Sequence, residues 1–187
     1  MKDLYESDIA SMANSTPDLT VESLQTLWMP FVFTDAALLH ATLLIGTSFY
    51  GSPPGPRSHG IDVFELKCMT ISAINESLQD PDRSISDQTI AAVLSLAQYE
   101  AFWGEARDFA FHMRAVQNMV HVRGGLNGIS TSLQGLLEIM VLTIDYHSSR
   151  ATGAEISFGP GRFPSSITHP AFSSRRSSRM AAGELLQ

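Results

Sequence analysis

The chain is poor in the residues that would announce a chemistry. It has one cysteine, Cys68, among 187 residues. An intrachain disulfide and a cysteine-based zinc cluster are therefore both excluded. A single cysteine also fits a reducing compartment, cytosol or nucleus. Basic residues are scarce as well: 12 Lys and Arg face 19 Asp and Glu, for a net charge of −7. Nucleic-acid binders usually carry a basic surface, so this balance argues against one. The acidic start, MKDLYESDIASM, lacks the apolar stretch of a signal peptide. The longest apolar run, Ala36–Tyr50, falls short of the roughly 20 residues that span a bilayer. No Gly-x-Ser-x-Gly, His-Glu-x-x-His or phosphate-loop motif occurs.

What is present is apolar and helical in period. Hydrophobic residues make up 44% of the chain, enough to build a core in one domain. Val21, Leu24, Leu27 and Trp28 share a helical face that Pro30 is expected to close, with Asp18 or Thr20 as cap. Thr34 reads as the cap of AALLHATLLIGTSFY, which is apolar almost all round and is expected to be the central buried helix. GSPPGPRSHG is a loop. A helix over about 61–78 follows, then QDPDRSIS. Next comes a helix capped by Ser86 or Asp87 and ended by Gly104, and then one over about 105–123. A last helix is expected over about 133–147. No strand alternation is found. The expectation is an all-α array of about six antiparallel-type helices. Residues 1–19 are expected to form a flexible N-terminus, 20–147 the helical domain, and 148–187 a Ser/Gly/Pro/Arg-rich disordered tail. Charge divides the same way. Residues 1–150 hold 8 Lys and Arg against 17 Asp and Glu, whereas residues 151–187 hold four Arg against two Glu.

Few residues invite a chemical reading. Phe109, Met113, Val116 and Val120 mark the inner face of the helix over 105–123, with His112, Met119 and Arg123 on an adjacent stripe. Gly124 and Gly125 follow its end. Phosphate loops precede a helix, where N–H groups point outward; here carbonyls point outward, so the glycines read as a helix stop. Asp108 and His112, spaced i and i+4, read as a surface pair and not as part of a metal site. Cys68 reads as buried and inert, and Trp28, Phe31, Phe33, Phe102, Trp103, Phe109 and Phe111 as core. Asp145 lies in an otherwise apolar helix and needs a partner; Arg123 is the candidate, forming a structural ion pair. No nucleophile–base pair, metal site or cofactor site emerges, and no enzymatic activity is expected.

Taken in order, LWMP, DAALLHATLL, ELKCMTISAINESLQD, SDQTIAAVLSLAQYEAFWGEA, HMRAVQNMVHVRGGL and a later Asp followed by ATG…FP resemble the fungal-specific transcription factor domain. That domain is the regulatory region downstream of the zinc binuclear cluster in fungal regulators. The resemblance spans about residues 20–165, and HMRAVQNMVHVRGGL is its most specific part. His112, Met119, Val120, Arg123, Gly124, Gly125, Leu126 and Asp145 match the family pattern. The resemblance implies an all-helical regulatory domain in the nucleus, with cytoplasm as the alternative. It also implies protein partners or a homo-oligomer, with room for a small-molecule effector. The cluster needs six cysteines, so specific DNA binding by this chain is not expected, nor is a membrane role. The sequence reads as a fragment, a truncated product or a paralogue that keeps the regulatory core. The alternative function is a helical interaction or scaffold protein with no transcriptional role.

Overall fold

A computed structural model describes residues 20–50 and 62–158. The expected flexible N-terminus at 1–19, the possible cap Asp18, the loop GSPPGPRSHG and the tail from 159 lie outside the described residues. Six helices make up the fold, and no strand occurs among the described residues.

Helix α1, residues 21–32, is a composite. An α-helical turn, Val21–Ser23, passes into a π-helical stretch, Leu24–Trp28, and returns to α-helix over Met29–Val32. Thr20 caps it in a reciprocal box with Ser23. Pro30 does not close the helix. A proline lacks an N–H and crowds the carbonyl one turn back, and the wider π turn just before it absorbs that conflict. Among its apolar residues only Trp28 and Val32 are buried, whereas Val21, Leu24 and Met29 face outward.

Helix α2 is Ala36–Tyr50. Its cap is Asp35, not Thr34: the Asp35 carboxylate accepts the Leu38 N–H at 3.1 Å. Ala37, Leu38, Ala41 and Leu44 are buried, but Leu43 is exposed, so α2 is not the central element. Helix α3 is Val63–Gln79, capped by Asp62. It buries Leu66, Thr70, Ile74 and Ser77 against α2 and α4. Met69 and Leu78 are exposed.

The centre is α4, Asp87–Trp103, capped by the Ser86 hydroxyl on Thr89 N–H. Every residue from Thr89 to Ala97 is buried. The run IAAVLSLA explains it: small residues let neighbours approach closely on one side while branched ones fill the other. Helices α2, α3, α5 and α6 all pack on α4. Helix α5, Ala106–Val122, joins α4 through Gly104 and Glu105 as a tight helical hairpin. Its inner face is Phe109, Met113, Val116 and Val120, as the periodicity indicates. Burying a side chain such as Phe109 contributes about 2–3 kcal/mol.

Two 3₁₀ turns, Leu126–Gly128 and Ser132–Gly135, lead into α6, Leu136–Thr152. The second is left-handed at Leu133 and Gln134, where φ is 51° and 57°. Leu133 therefore precedes α6 and is not part of it. Ile129, between the turns, is fully buried and closes the core from the loop side. At its other end α6 runs five residues beyond His147, with Ser148 and Ser149 buried.

Candidate functional site

Three polar centres interrupt the apolar core. The first forms where α5 ends. The Gly125 N–H donates to the Val120 carbonyl at 2.9 Å and the Gly124 N–H to the His121 carbonyl at 3.0 Å. This crossed pair is a Schellman stop. It needs positive φ, and Gly124 and Gly125 supply 98° and 81°. The stop turns the chain so that Arg123 reaches the start of α4. Its Nη1 lies 2.9 Å from Asp87 Oδ1 and donates to the Ile85 carbonyl at 2.8 Å. Nη2 donates to the Gly128 carbonyl at 3.4 Å. Arg123 thus ties the α3–α4 loop to the α5–α6 loop. Asp87 occupies the first turn of α4, where a carboxylate also meets the positive helix end. Leu126 starts the following turn and packs partly on the core.

The second centre is Asp145, fully buried on α6. The expected Arg123–Asp145 ion pair does not form. The chain beyond α6 folds back and presents backbone donors instead. The N–H of Ser157 donates to both Asp145 oxygens, at 3.0 and 2.8 Å, and that of Phe158 to Oδ2 at 2.9 Å. Charge-assisted bonds from backbone amides are among the strong hydrogen bonds and satisfy this buried carboxylate without a cation. Gln117 Nε2 on α5 donates to the Ser157 carbonyl at 2.9 Å, and Ser149 Oγ to the Glu155 carbonyl at 3.0 Å. Phe158 then rests against the core.

The third centre was not legible beforehand. Glu100 on α4 is only 2% exposed, and its Oε1 lies 2.7 Å from Lys67 Nζ on α3. The same Nζ stands 5.3 Å from the Tyr99 ring centroid, a cation–π contact. A Cβ on Gly104 would overlap the Glu100 carboxylate, so the residue that ends α4 is also the one that leaves it room. His112 on α5 completes the group. Burial lowers its pKa, Glu100 and then Asp108 oppose that, and Lys67 adds to it. The expected Asp108–His112 pairing is thus a through-space effect secondary to Glu100. The signal that pointed here was Lys67 and Glu100 within apolar helices, but nothing in the sequence says that their helices meet.

A fourth link ties the start of α2 to the end of α3: Arg83 Nη2 donates to Asp35 Oδ2 at 2.8 Å and to Ser77 Oγ at 2.9 Å. Asp35 raises the Arg83 pKa above its ordinary value.

The family-pattern residues therefore do not converge on one cavity. Met119 and Val120 are core, Arg123 with Gly124 and Gly125 builds a corner, Asp145 anchors a returning strand of chain, and His112 flanks the Lys67–Glu100 pair. Cys68, expected to be buried, is exposed, and so are Phe33 and Phe111. Cys68 and Phe111 lie on the outward faces of α3 and α5, and Phe33 is the residue that ends α1. Among the described residues no three His, Cys, Asp or Glu side chains gather as a metal-binding group. No helix among them is long and apolar enough to cross a membrane.

Comparison with known proteins agrees with this architecture. The family model of the fungal specific transcription factor domain matches residues 1–185. No curated protein and no solved structure matches the chain. With nearly the whole chain matched and an all-helical structure, the chain belongs to the fungal specific transcription factor domain family.

Proposed function

We propose that the chain is a regulatory module that acts on transcription through contacts with proteins or a small effector, without binding specific DNA and without catalysis. The observation that carries this is the family match over nearly the entire chain. Two features give it its particular form. One cysteine cannot build the family's six-cysteine DNA-binding cluster, and a net charge of −7 repels a phosphate backbone. Three polar side chains are also taken up in holding helices and loops together: Arg123 by Asp87, Glu100 by Lys67, and Asp145 by backbone amides. A catalytic group needs access to substrate, and Glu100 and Asp145 are almost fully buried. The nucleus is the compartment this role calls for.

The test has two arms. Tethered to a heterologous DNA-binding domain upstream of a reporter, the chain should change transcription. Added alone to labelled duplexes across a salt series, it should show no sequence-dependent shift. A silent tethered chain, or tight sequence-selective binding that survives moderate salt, would overturn the proposal.

A further inference from the structure

Helix α3 has a second apolar face that the described residues do not cover. Its inner face, Leu66, Thr70, Ile74 and Ser77, is buried. On the opposite side Phe64, Cys68, Ile71, Asn75 and Leu78 all face outward. Their spacing is four, three, four, three, the step of a coiled-coil seam, and the five positions lie within about 40° of one line along the helix. Phe64 is 73% exposed, Leu78 44% and Ile71 36%. Isolated exposed apolar residues are ordinary, whereas a row in heptad register is the pattern by which helices recognise helices. Asn75, polar and central, is the kind of residue that selects register in such a pairing.

The flank identifies the occupant. Glu65 and Glu76 run beside the stripe, both exposed, and Asp62 and Asp80 stand at the helix ends. The only cation on the helix, Lys67, is engaged by Glu100. A second copy of this chain would bring the same acidic ridge and no free cation on this helix, on a body that is already strongly negative. The arginines of the chain's own segment 159–187 are not accompanied by a sustained apolar stripe. We infer that the outward face of α3 docks a basic amphipathic helix of another protein, with Phe64, Ile71 and Leu78 as anchors and Glu65 and Glu76 selecting a Lys- or Arg-flanked partner. This names a surface for the protein contacts proposed above and rests on that reading. Its test uses the purified chain and no transcriptional readout, so the two fail separately.

The probes are two labelled helical peptides with identical Leu/Ile heptad cores, one flanked by Lys and Arg and the other by Glu. Binding to the full chain is followed by fluorescence anisotropy. The basic peptide should bind at roughly micromolar affinity, as suits a single-helix contact, and weaken with salt. Ile71→Asp should weaken it about tenfold or more. Val122→Asp, also at an exposed apolar site but on α5, should leave it unchanged. Because Ile71 is partly exposed, circular dichroism of the variant should match the parent. The double change Glu65→Lys with Glu76→Lys should reverse the preference toward the acidic peptide. Equal binding of both peptides, binding indifferent to Ile71→Asp, or no binding overturns the inference. So does a dimer that Ile71→Asp disperses in sedimentation, since the occupant would then be a second copy.

Discussion

At the scale of single residues, Arg123 and Asp145 are two separate anchors, and their energetics should separate. Arg123 and Asp87 are each about a quarter exposed, so their attraction is partly screened. Arg123→Ala should cost about 2 kcal/mol, because it also leaves the Ile85 and Gly128 carbonyls without a donor. A double-mutant cycle by chemical denaturation should give coupling of about 1 kcal/mol with Asp87→Ala and none with Asp145→Ala. Coupling to Asp145 instead would contradict the structure. Asp145→Ala should cost about 2–3 kcal/mol, since two partly buried amides lose their acceptor. Hydrogen exchange should accelerate at Ser157 and Phe158 before it does in α6. His112 gives a pH signature. Its folded pKa is depressed, mainly by burial, so the unfolded chain binds the proton more readily. The stability it contributes is complete above the ordinary histidine value of about 6.5 and is lost as pH falls through the folded value. His112→Gln should flatten that part of the stability–pH curve, and an unchanged slope would show that His112 is not its source.

At the scale of elements, the α5–α6 connection carries opposite liabilities within a few residues. Gly124 sits at φ 98° with open space around an added Cβ. Gly124→Ala should therefore cost about 1 kcal/mol from backbone strain alone. Gln134 is exposed and left-handed without being glycine. Gln134→Gly should raise stability by up to about 1 kcal/mol, because the Cβ clash disappears. Thermal melts of the two variants should shift in opposite directions. A shared direction would mean that the left-handed turn before α6 is not the conformation in solution. Much of this level was legible. The caps Thr20 and Ser86, the stop at Gly124 and Gly125 and the inner face of α5 follow from local chemistry. The continuation of α1 through Pro30 did not, because it needs a π turn that no residue pattern marks.

At the scale of the molecule, α4 is the hub, touching α2, α3, α5 and α6. A fold whose helices share one central partner should unfold as one unit. Trp28 reports on α1 and Trp103 on the end of α4. Tryptophan fluorescence and far-ultraviolet circular dichroism should therefore trace one coincident transition in denaturant. Two separated transitions would mean that α1 is a loosely attached element.

The sequence by itself determined the helical class, the order and approximate limits of the helices and the caps Thr20 and Ser86, because these rest on periodicity and on residues acting on near neighbours, and its motifs in order carried the resemblance to the family. It also determined that Asp145 needs a partner. Which partner was decided by tertiary structure alone. Side-chain charges can be read along a chain, but the amides of Ser157 and Phe158 become donors at that carboxylate only once the chain has folded back. The same holds for the hub. α2 is more apolar than α4 in composition, yet α4 is central, because burial depends on how many neighbours surround a helix. And the outward stripe of α3 is indistinguishable in sequence from a core face: only the packing of Leu66, Thr70 and Ile74 inward shows that Phe64, Ile71 and Leu78 are left facing solvent.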